Sequence, residues 1–387
     1  MTRLWKILTV AVVAAIVGSS NAAAQWLERS EELTDSVEKY YRADRPWLLR
    51  ENVGDARDFR ADYLATAQGE RAHSFLWPYS GMLSAIVAQY AAAPSRSRLR
   101  HIREFISRGL DQYLDTARRP AAYASYTPMQ PAPDRFYDDN IWIGIDFADL
   151  YALTHKREFL SRAEGVWRFV ESGRDRVLGD GIYWCEQKKE SKNTCSNAPA
   201  AVFALKLYAS TRRPEYLAAG KELYAWMRRN LYDPAEHLYS DNISLGGKIG
   251  RAKFSYNSGQ MLQAAALLYK HTGEDHYLLE ADTLARACAG RFFKSSAAGG
   301  KTVEFRDVWF DAVMMRGFVE YLALRPAAEE YLEVYRQTLA HLWSHSRDSR
   351  GLLDFTSTAG KGRAWWLLGE CAAAEMMARL AAPTAAH

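Results

Sequence analysis

The chain has 387 residues, of which 48% are hydrophobic, 25% charged and 13% aromatic, and its formal net charge is +4. That composition excludes intrinsic disorder and a fibrous repeat, and describes a globular protein long enough to bury a large core. So small a charge excess predicts no nucleic-acid or membrane-surface partner.

The first segment reads as an export signal. Arg3 and Lys6 precede an apolar run at 7–18, too short to span a bilayer comfortably, and Ala22-Ala23-Ala24 before Gln25 has the small-residue pattern of a cleavage site. A signal peptide over 1–24 is therefore expected, with export to the periplasm or medium and no stable membrane anchor. Without those residues the net charge falls to +2. No later stretch reads as a transmembrane helix. One domain over 25–387 is expected, acting as a monomer.

Twelve helices follow in order, at about 26–43, 74–92, 97–116, 139–154, 157–172, 198–210, 214–230, 256–271, 275–290, 307–324, 328–345 and 362–380. Apolar residues recur at i, i+3, i+4 and i+7 through most of them, and no stretch shows sustained strand alternation. A phrase repeats along them: LYALTHKREFL at 150–160, LYASTRRPEYL at 207–217 and LYKHTGEDHYL at 268–278. Looser copies stand at 89–99 and 321–332. Each reads as the turn of an αα-hairpin, and a period near 60 residues leaves a longer return loop between hairpins. Six hairpins predict an all-α fold, an (α/α)6 barrel. An open solenoid is the rival, but its repeats are usually shorter.

In such a barrel the long return loops gather on one rim, where a cleft can form. The stretches expected there are SFLWPYS (74–80), RFYDDNIW (135–142), CSNAP (195–199), AKFSYNSGQ (252–260), EFRDVWFD (304–311) and GKGRAWW (360–366). Asp138 and Asp139 stand out. Like charges this close raise one pKa, while a helix N-terminus favours ionisation of the other. A retaining glycosidase needs two carboxylates about 5–5.5 Å apart with separated pKa values. Two acids in a first turn also serve as ordinary capping residues. Trp77, Trp142, Trp184, Trp309, Trp365 and Trp366 lie on or beside the rim segments, where aromatic faces can stack on sugars or simply pack.

Other chemistries find little support. His341 and His345 have i, i+4 spacing but lack the Glu of a zinc-protease motif, and no C-x-x-C, G-x-S-x-G, P-loop or G-x-G-x-x-G is present. No metal or cofactor is expected. Cys185 and Cys195 flank a polar loop, where a local disulfide and two free thiols are equally compatible with the spacing. Cys288 and Cys371 read as core residues.

The segments FYDDNIWIGIDFADLY, CSNAPAAVFALKLY and FSYNSGQMLQAAALLY, with the hairpins between them, resemble glycoside hydrolase family 76, the endo-α-1,6-mannanases. The similarity runs from about residue 74 to the C-terminus. It implies an (α/α)6 fold and retaining hydrolysis of α-1,6-mannan or a related α-mannoside. It also implies Asp138 as nucleophile and Asp139 as acid/base. Tyr137, Asn140, Asn197, Asp241, Tyr256 and Asn257 join Trp77, Trp142, Trp184, Trp309 and Trp365 as candidate contacts to a polysaccharide or oligosaccharide. Ser258-Gly259-Gln260 departs from the family's usual residues after Tyr-Asn, and LYSDNIS around Asp241 matches loosely. Two alternatives stay open: a sugar 2-epimerase, which needs His residues in the cleft (His73 is the one near a rim entry), and a non-catalytic glycan-binding protein.

Overall fold

The computed structural model describes residues 2–54, 72–296, 299–359 and 365–382. The helices are α1 (Thr2–Tyr40), α2 (Leu76–Ala92), α3 (Arg96–Glu104), α4 (Tyr137–Thr154), α5 (Arg157–Glu171), α6 (Thr194–Thr211), α7 (Pro214–Asn230), α8 (Ser255–Thr272), α9 (Asp275–Phe292), α10 (Val308–Leu322), α11 (Glu329–His345), a single turn α12 (Thr356–Ala359) and α13 (Leu367–Ala381). Among these residues no helix is long and apolar enough to cross a membrane.

Six of them, α2, α4, α6, α8, α10 and α13, pack side by side in that order, and α13 returns to α2. The ring is closed, as an (α/α)6 barrel requires. Each inner helix carries an outer partner: α3 on α2, α5 on α4, α7 on α6, α9 on α8 and α11 on α10, while α1 covers α13. The division follows from composition. In α6 the run from Thr194 to Leu205 is buried without interruption, which only a helix surrounded on all sides can sustain. In α5 the buried residues are Phe159, Ala163, Val166, Trp167, Phe169 and Val170, one face of an otherwise polar helix. The inner helices also approach closely. A Cβ on Gly259 of α8 would strike the Met314 backbone of α10, and one on Gly317 would strike the Gly259 carbonyl.

The repeated Leu-Tyr-x-x-Thr phrase is a helix terminator. Thr154, Thr211 and Thr272 each donate a hydroxyl hydrogen bond to the carbonyl of the phrase's Leu, at 2.6, 2.7 and 2.8 Å. The same hydroxyls accept from the amides of Lys156, Arg213 and Glu274. The next residue is left-handed, with φ of 52° at His155, 58° at Arg212 and 70° at Gly273, and its amide returns to the carbonyl of the phrase's Tyr. The last carbonyls of the helix are thus satisfied before the chain turns back.

Several boundaries differ from expectation. The helix expected over 97–116 is α-helical only to Glu104, then widens to a π turn at Phe105–Gly109 and tightens to a 3₁₀ turn at Leu110–Tyr113. The Tyr79 hydroxyl presses on Gly109 there, where no Cβ could fit, and donates to the Trp47 carbonyl. The helix expected from 26 is the end of one continuous helix beginning at Thr2, and it stops at Tyr40 rather than 43. The helix expected from 198 begins a turn earlier, at Thr194, because the Thr194 amide is held by the Asp241 carbonyl at 2.8 Å. The expected start at 362 falls outside the described residues, as do 360–364 of GKGRAWW. Short strands occur in the return loops, among them an antiparallel trio of Ser191–Asn193, Asn242–Ser244 and Ile249–Gly250.

The fourth residue of an inner helix ties down the incoming loop in four of the six hairpins. Asn140 accepts from the Tyr123 amide and donates to the Tyr123 and Phe136 carbonyls, all at 2.8 Å. Asn197 makes the same three bonds to Ile182 and Asn193. Ser258 accepts from the Tyr239 amide and Glu370 from the Leu353 amide. These buried ties fix the loops over the N-terminal ends of the inner helices.

Candidate active site

A cavity of about 540 Å³ opens at the mouth formed by those N-terminal ends. Its acidic wall carries Asp138, Asp139, Asp241 and Asp307, and its aromatic wall includes Trp77, Trp142, Trp184, Tyr256 and Trp309. Those eight sequence candidates (all named here but Asp307) therefore share one space.

Asp138 and Asp139 occupy the first turn of α4, whose N-cap residue, Phe136, is extended and offers no side-chain cap. A loop strand starts the helix instead. Phe136 bridges Cys185, and the Tyr137 amide donates to the Trp184 carbonyl at 3.0 Å. The same strand brings the Trp184 indole over Asp138, where Nε1 donates to Oδ2 at 3.1 Å. The other oxygen, Oδ1, is buried without a well-formed hydrogen bond.

The two carboxyls differ. Burial pushes Asp138 up to about 6, a rise opposed by the Cys195 thiol, the Asp139 amide and the Trp184 indole, all of which favour the anion. Burial also drives Asp139 well above the usual carboxylate range, and the charge on Asp138 adds to the rise with nothing comparable opposing it. Among the described residues no ion pair reaches either one. One acid of the pair is thus supported as the anion and the other is held as the protonated form.

Asp241 sits above them. Its Oδ2 accepts from Asn242 at 2.8 Å and its Oδ1 from Asn257 at 3.4 Å, and burial raises its pKa. The aromatic wall is fixed by its own contacts. Trp309 stands edge-on to Trp77 and Trp142, with ring centroids 5.2 and 4.9 Å apart. Tyr256 stacks on Phe310 at 4.0 Å. Rings locked this way present a preformed surface to a flat apolar ligand face.

Five sequence candidates are not on the cavity wall. Tyr137 is buried behind it, stacked on Phe169 at 4.7 Å. Asn140 and Asn197 spend their amides on the loop ties described above. Asn257 is buried and supports Asp241 from behind. Trp365 lies to one side, under the Arg350 guanidinium at 4.9 Å. His73 is buried between Tyr126 and Thr127, and no histidine lines the cavity among the described residues. All four cysteines are free thiols.

The wall also contains residues that sequence reasoning did not single out as site residues. Phe75, Phe136, Cys195, Phe254, Asp307 and Phe310 come from the flagged rim segments. Ser125 and Asn193 come from outside them, and only the loop path brings them in.

A family model for glycosyl hydrolase family 76 matches residues 25–386. The chain belongs to glycosyl hydrolase family 76. It is a mannanase-like glycoside hydrolase. Among solved structures it is similar to a family 76 mannosidase from Bacteroides thetaiotaomicron VPI-5482, with 31% identity, 92% of this chain and 98% of that one covered, and a TM-score of 0.80. It is also similar to a family 76 enzyme from a bovine strain of that species, with 32% identity, 92% and 77% covered, and a TM-score of 0.80. An α-1,6-mannanase from Salegentibacter sp. HEL1_6 shares 25% identity over 92% and 99%, with a TM-score of 0.71. Comparison with curated proteins gave no match.

Proposed function

We propose that this family 76 enzyme hydrolyses α-1,6-mannan, or a related α-mannoside, with retention of configuration. Asp138 is the nucleophile and Asp139 the acid/base. The observation that carries this reading is the unequal support of the two carboxyls, since donors converge on Asp138 while burial and its neighbour's charge hold the proton on Asp139.

The steps follow from that inequality. The Asp138 carboxylate attacks the anomeric carbon as Asp139 gives its proton to the glycosidic oxygen, and the leaving sugar departs as an alcohol. Asp139, now an anion, takes a proton from water, whose oxygen attacks the same carbon and releases Asp138. The second displacement restores the starting configuration. Trp77, Trp142, Trp309 and Tyr256 offer faces for sugar C–H surfaces, and Asp241 and Asn193 offer hydroxyl partners. The Salegentibacter mannanase has an inactive variant in which two consecutive aspartates are replaced by asparagine, determined with α-1,6-mannotriose. Export of the chain rests on the basic, apolar and small-residue pattern of its first 24 residues.

The test is release of oligosaccharides from α-1,6-mannan by the wild type, Asp138→Asn and Asp139→Asn. Release by the wild type alone is expected. A folded wild type that releases nothing from α-1,6-mannan contradicts the substrate assignment.

A further inference from the structure

Two residues of the catalytic cavity's wall keep a buried polar side-chain atom without a well-formed hydrogen bond inside the protein: Asp138 at Oδ1 and Ser125 at Oγ. A buried polar atom left unmatched costs stability, so each calls for a reason. For Asp138 the reason is chemical, since an oxygen that attacks the anomeric carbon has to be free of donors. Ser125 takes no part in the displacement steps.

The chain around Ser125 is held on every side. The residue is 1% exposed. Its amide donates to the Asp134 carbonyl at 2.8 Å, and its carbonyl accepts at 2.9 Å from the amide of Leu76, the first residue of α2. Before it, the Ala124 amide donates to the Tyr113 carbonyl at 2.9 Å. After it, Tyr126 stacks on His73 with ring centroids 4.2 Å apart. Two residues back, Tyr123 is tied through its amide and carbonyl to Asn140, the residue that follows the acid pair on α4. Both backbone polar groups of Ser125 are therefore spent, and its position is fixed relative to Asp138 and Asp139. The hydroxyl is the polar group it has left for the cavity.

We propose that Ser125 is a substrate-binding, specificity-determining residue whose hydroxyl bonds a hydroxyl of the sugar that reacts at the acid pair. This rests on the mannoside reading of the cleft. The chemistry suits a sugar. A serine hydroxyl both donates and accepts, as a sugar hydroxyl does, so the two can pair in either sense, whereas an ionised Asp241 only accepts. Rotation about the single Cα–Cβ bond, among three staggered positions, turns the hydroxyl without moving the loop. A site that hydrogen-bonds a substrate hydroxyl discriminates against sugars that lack it, because the protein's own group is then left unmatched.

The test sets wild type beside Ser125→Ala on aryl α-1,6-mannobiosides, one complete and the others each lacking one hydroxyl of the sugar that carries the aryl group. Ser125→Ala is expected to lower kcat/KM on the complete substrate roughly tenfold. On one member of the series it is expected to cost nothing further, because the hydroxyl missing there is the partner. Taking the ratio of the two enzymes on each substrate removes the change in intrinsic reactivity that deoxygenation brings. Tm should be unchanged or higher in the variant, since the hydroxyl has no partner within the protein to lose. An undiminished kcat/KM on the complete substrate overturns the proposal. So does a loss of the same size on every member, which with a lowered Tm marks a structural role instead. Either result, with the wild type active, strikes Ser125 alone. If the wild type turns over none of these mannosides, the mannoside reading fails and this assignment falls with it.

Discussion

The two mouths of the barrel hold cavities of similar size and opposite character. The catalytic mouth gathers the N-terminal ends of the inner helices around Asp138, Asp139 and Asp241. The far mouth, a cavity of about 420 Å³ at the C-terminal ends, is lined by Asp149, Lys206, Lys270, His271, Glu320 and Arg379, among others. Helix dipoles favour anions at the first and cations at the second. At the far mouth each carboxylate has a cation: Lys206 meets Asp149 at 2.6 Å, Lys270 meets Glu320 at 3.6 Å, and Arg379 meets Glu375 at 2.7 Å. Burial and the charges of Lys270 and Arg212 push His271 down to about 4, so it too stays neutral. At the catalytic mouth no ion pair reaches Asp138, Asp139 or Asp241 among the described residues. Paired charges hold the barrel together, and unpaired ones keep proton affinities free to be set by burial and hydrogen bonds. That is where acid–base chemistry can run near neutral pH.

Four changes break or sharpen this contrast. The largest effect is expected from Asp138→Asn or Asp139→Asn, each lowering kcat on α-1,6-mannan by roughly 10⁴-fold, read from initial rates. Next is Arg316→Met, midway along the barrel, where Arg316 is buried and makes a two-point bond to Glu375 at 2.7 Å. Its loss leaves a buried carboxylate short of a partner and should cost about 3 kcal/mol in unfolding free energy, measured by denaturant titration. Trp309→Ala removes the ring that braces Trp77 and Trp142, and should raise KM about tenfold, corresponding to ~1.4 kcal/mol. The smallest effect is expected from Lys206→Met at the far mouth, a stability loss of about 1 kcal/mol with kcat/KM unchanged. A large fall in kcat/KM there would show that the two ends are coupled.

The acid pair also has a signature in stability. A carboxyl whose folded pKa is raised is favourable to the fold only while protonated. Its penalty begins as pH rises past the unfolded value of about 4 and is complete above the folded value. For Asp138 that window runs from about 4 to about 6. Asp138→Asn should therefore raise Tm at pH 7 by ~2 °C or more and leave it unchanged at pH 4, as read by thermal melts at the two pH values.

The barrel was legible because its cause is local. Leu-Tyr-x-x-Thr records a helix end that satisfies itself with one hydroxyl, and the same three residues do so in three hairpins. The catalytic mouth was half legible. Trp184 and Asp241 lie on loops, yet the aromatic and acidic segments around them pointed to the right rim. Asn140 and Asn197 misled for a physical reason. They stand beside the acid pair and at the corresponding position of the next hairpin, where a polar residue at a helix start reads as a ligand contact. Both turn back to hold a loop backbone. Cys195 stood in a flagged rim segment, but its place inside a helical turn was not expected, because α6 was expected to begin at 198 and begins at Thr194. The Asp241 carbonyl, remote in sequence, adds the extra turn that carries the thiol into the cleft.

The account turns on which carboxyl attacks. The most direct measurement is to trap the enzyme with a fluorinated mannosyl donor that reacts quickly and hydrolyses slowly, then to locate the sugar by peptide mass spectrometry. A mannosyl ester on Asp138, absent in Asp138→Asn, is the predicted result. An ester on Asp139, or turnover of the donor with no covalent sugar and an inverted product, would contradict it.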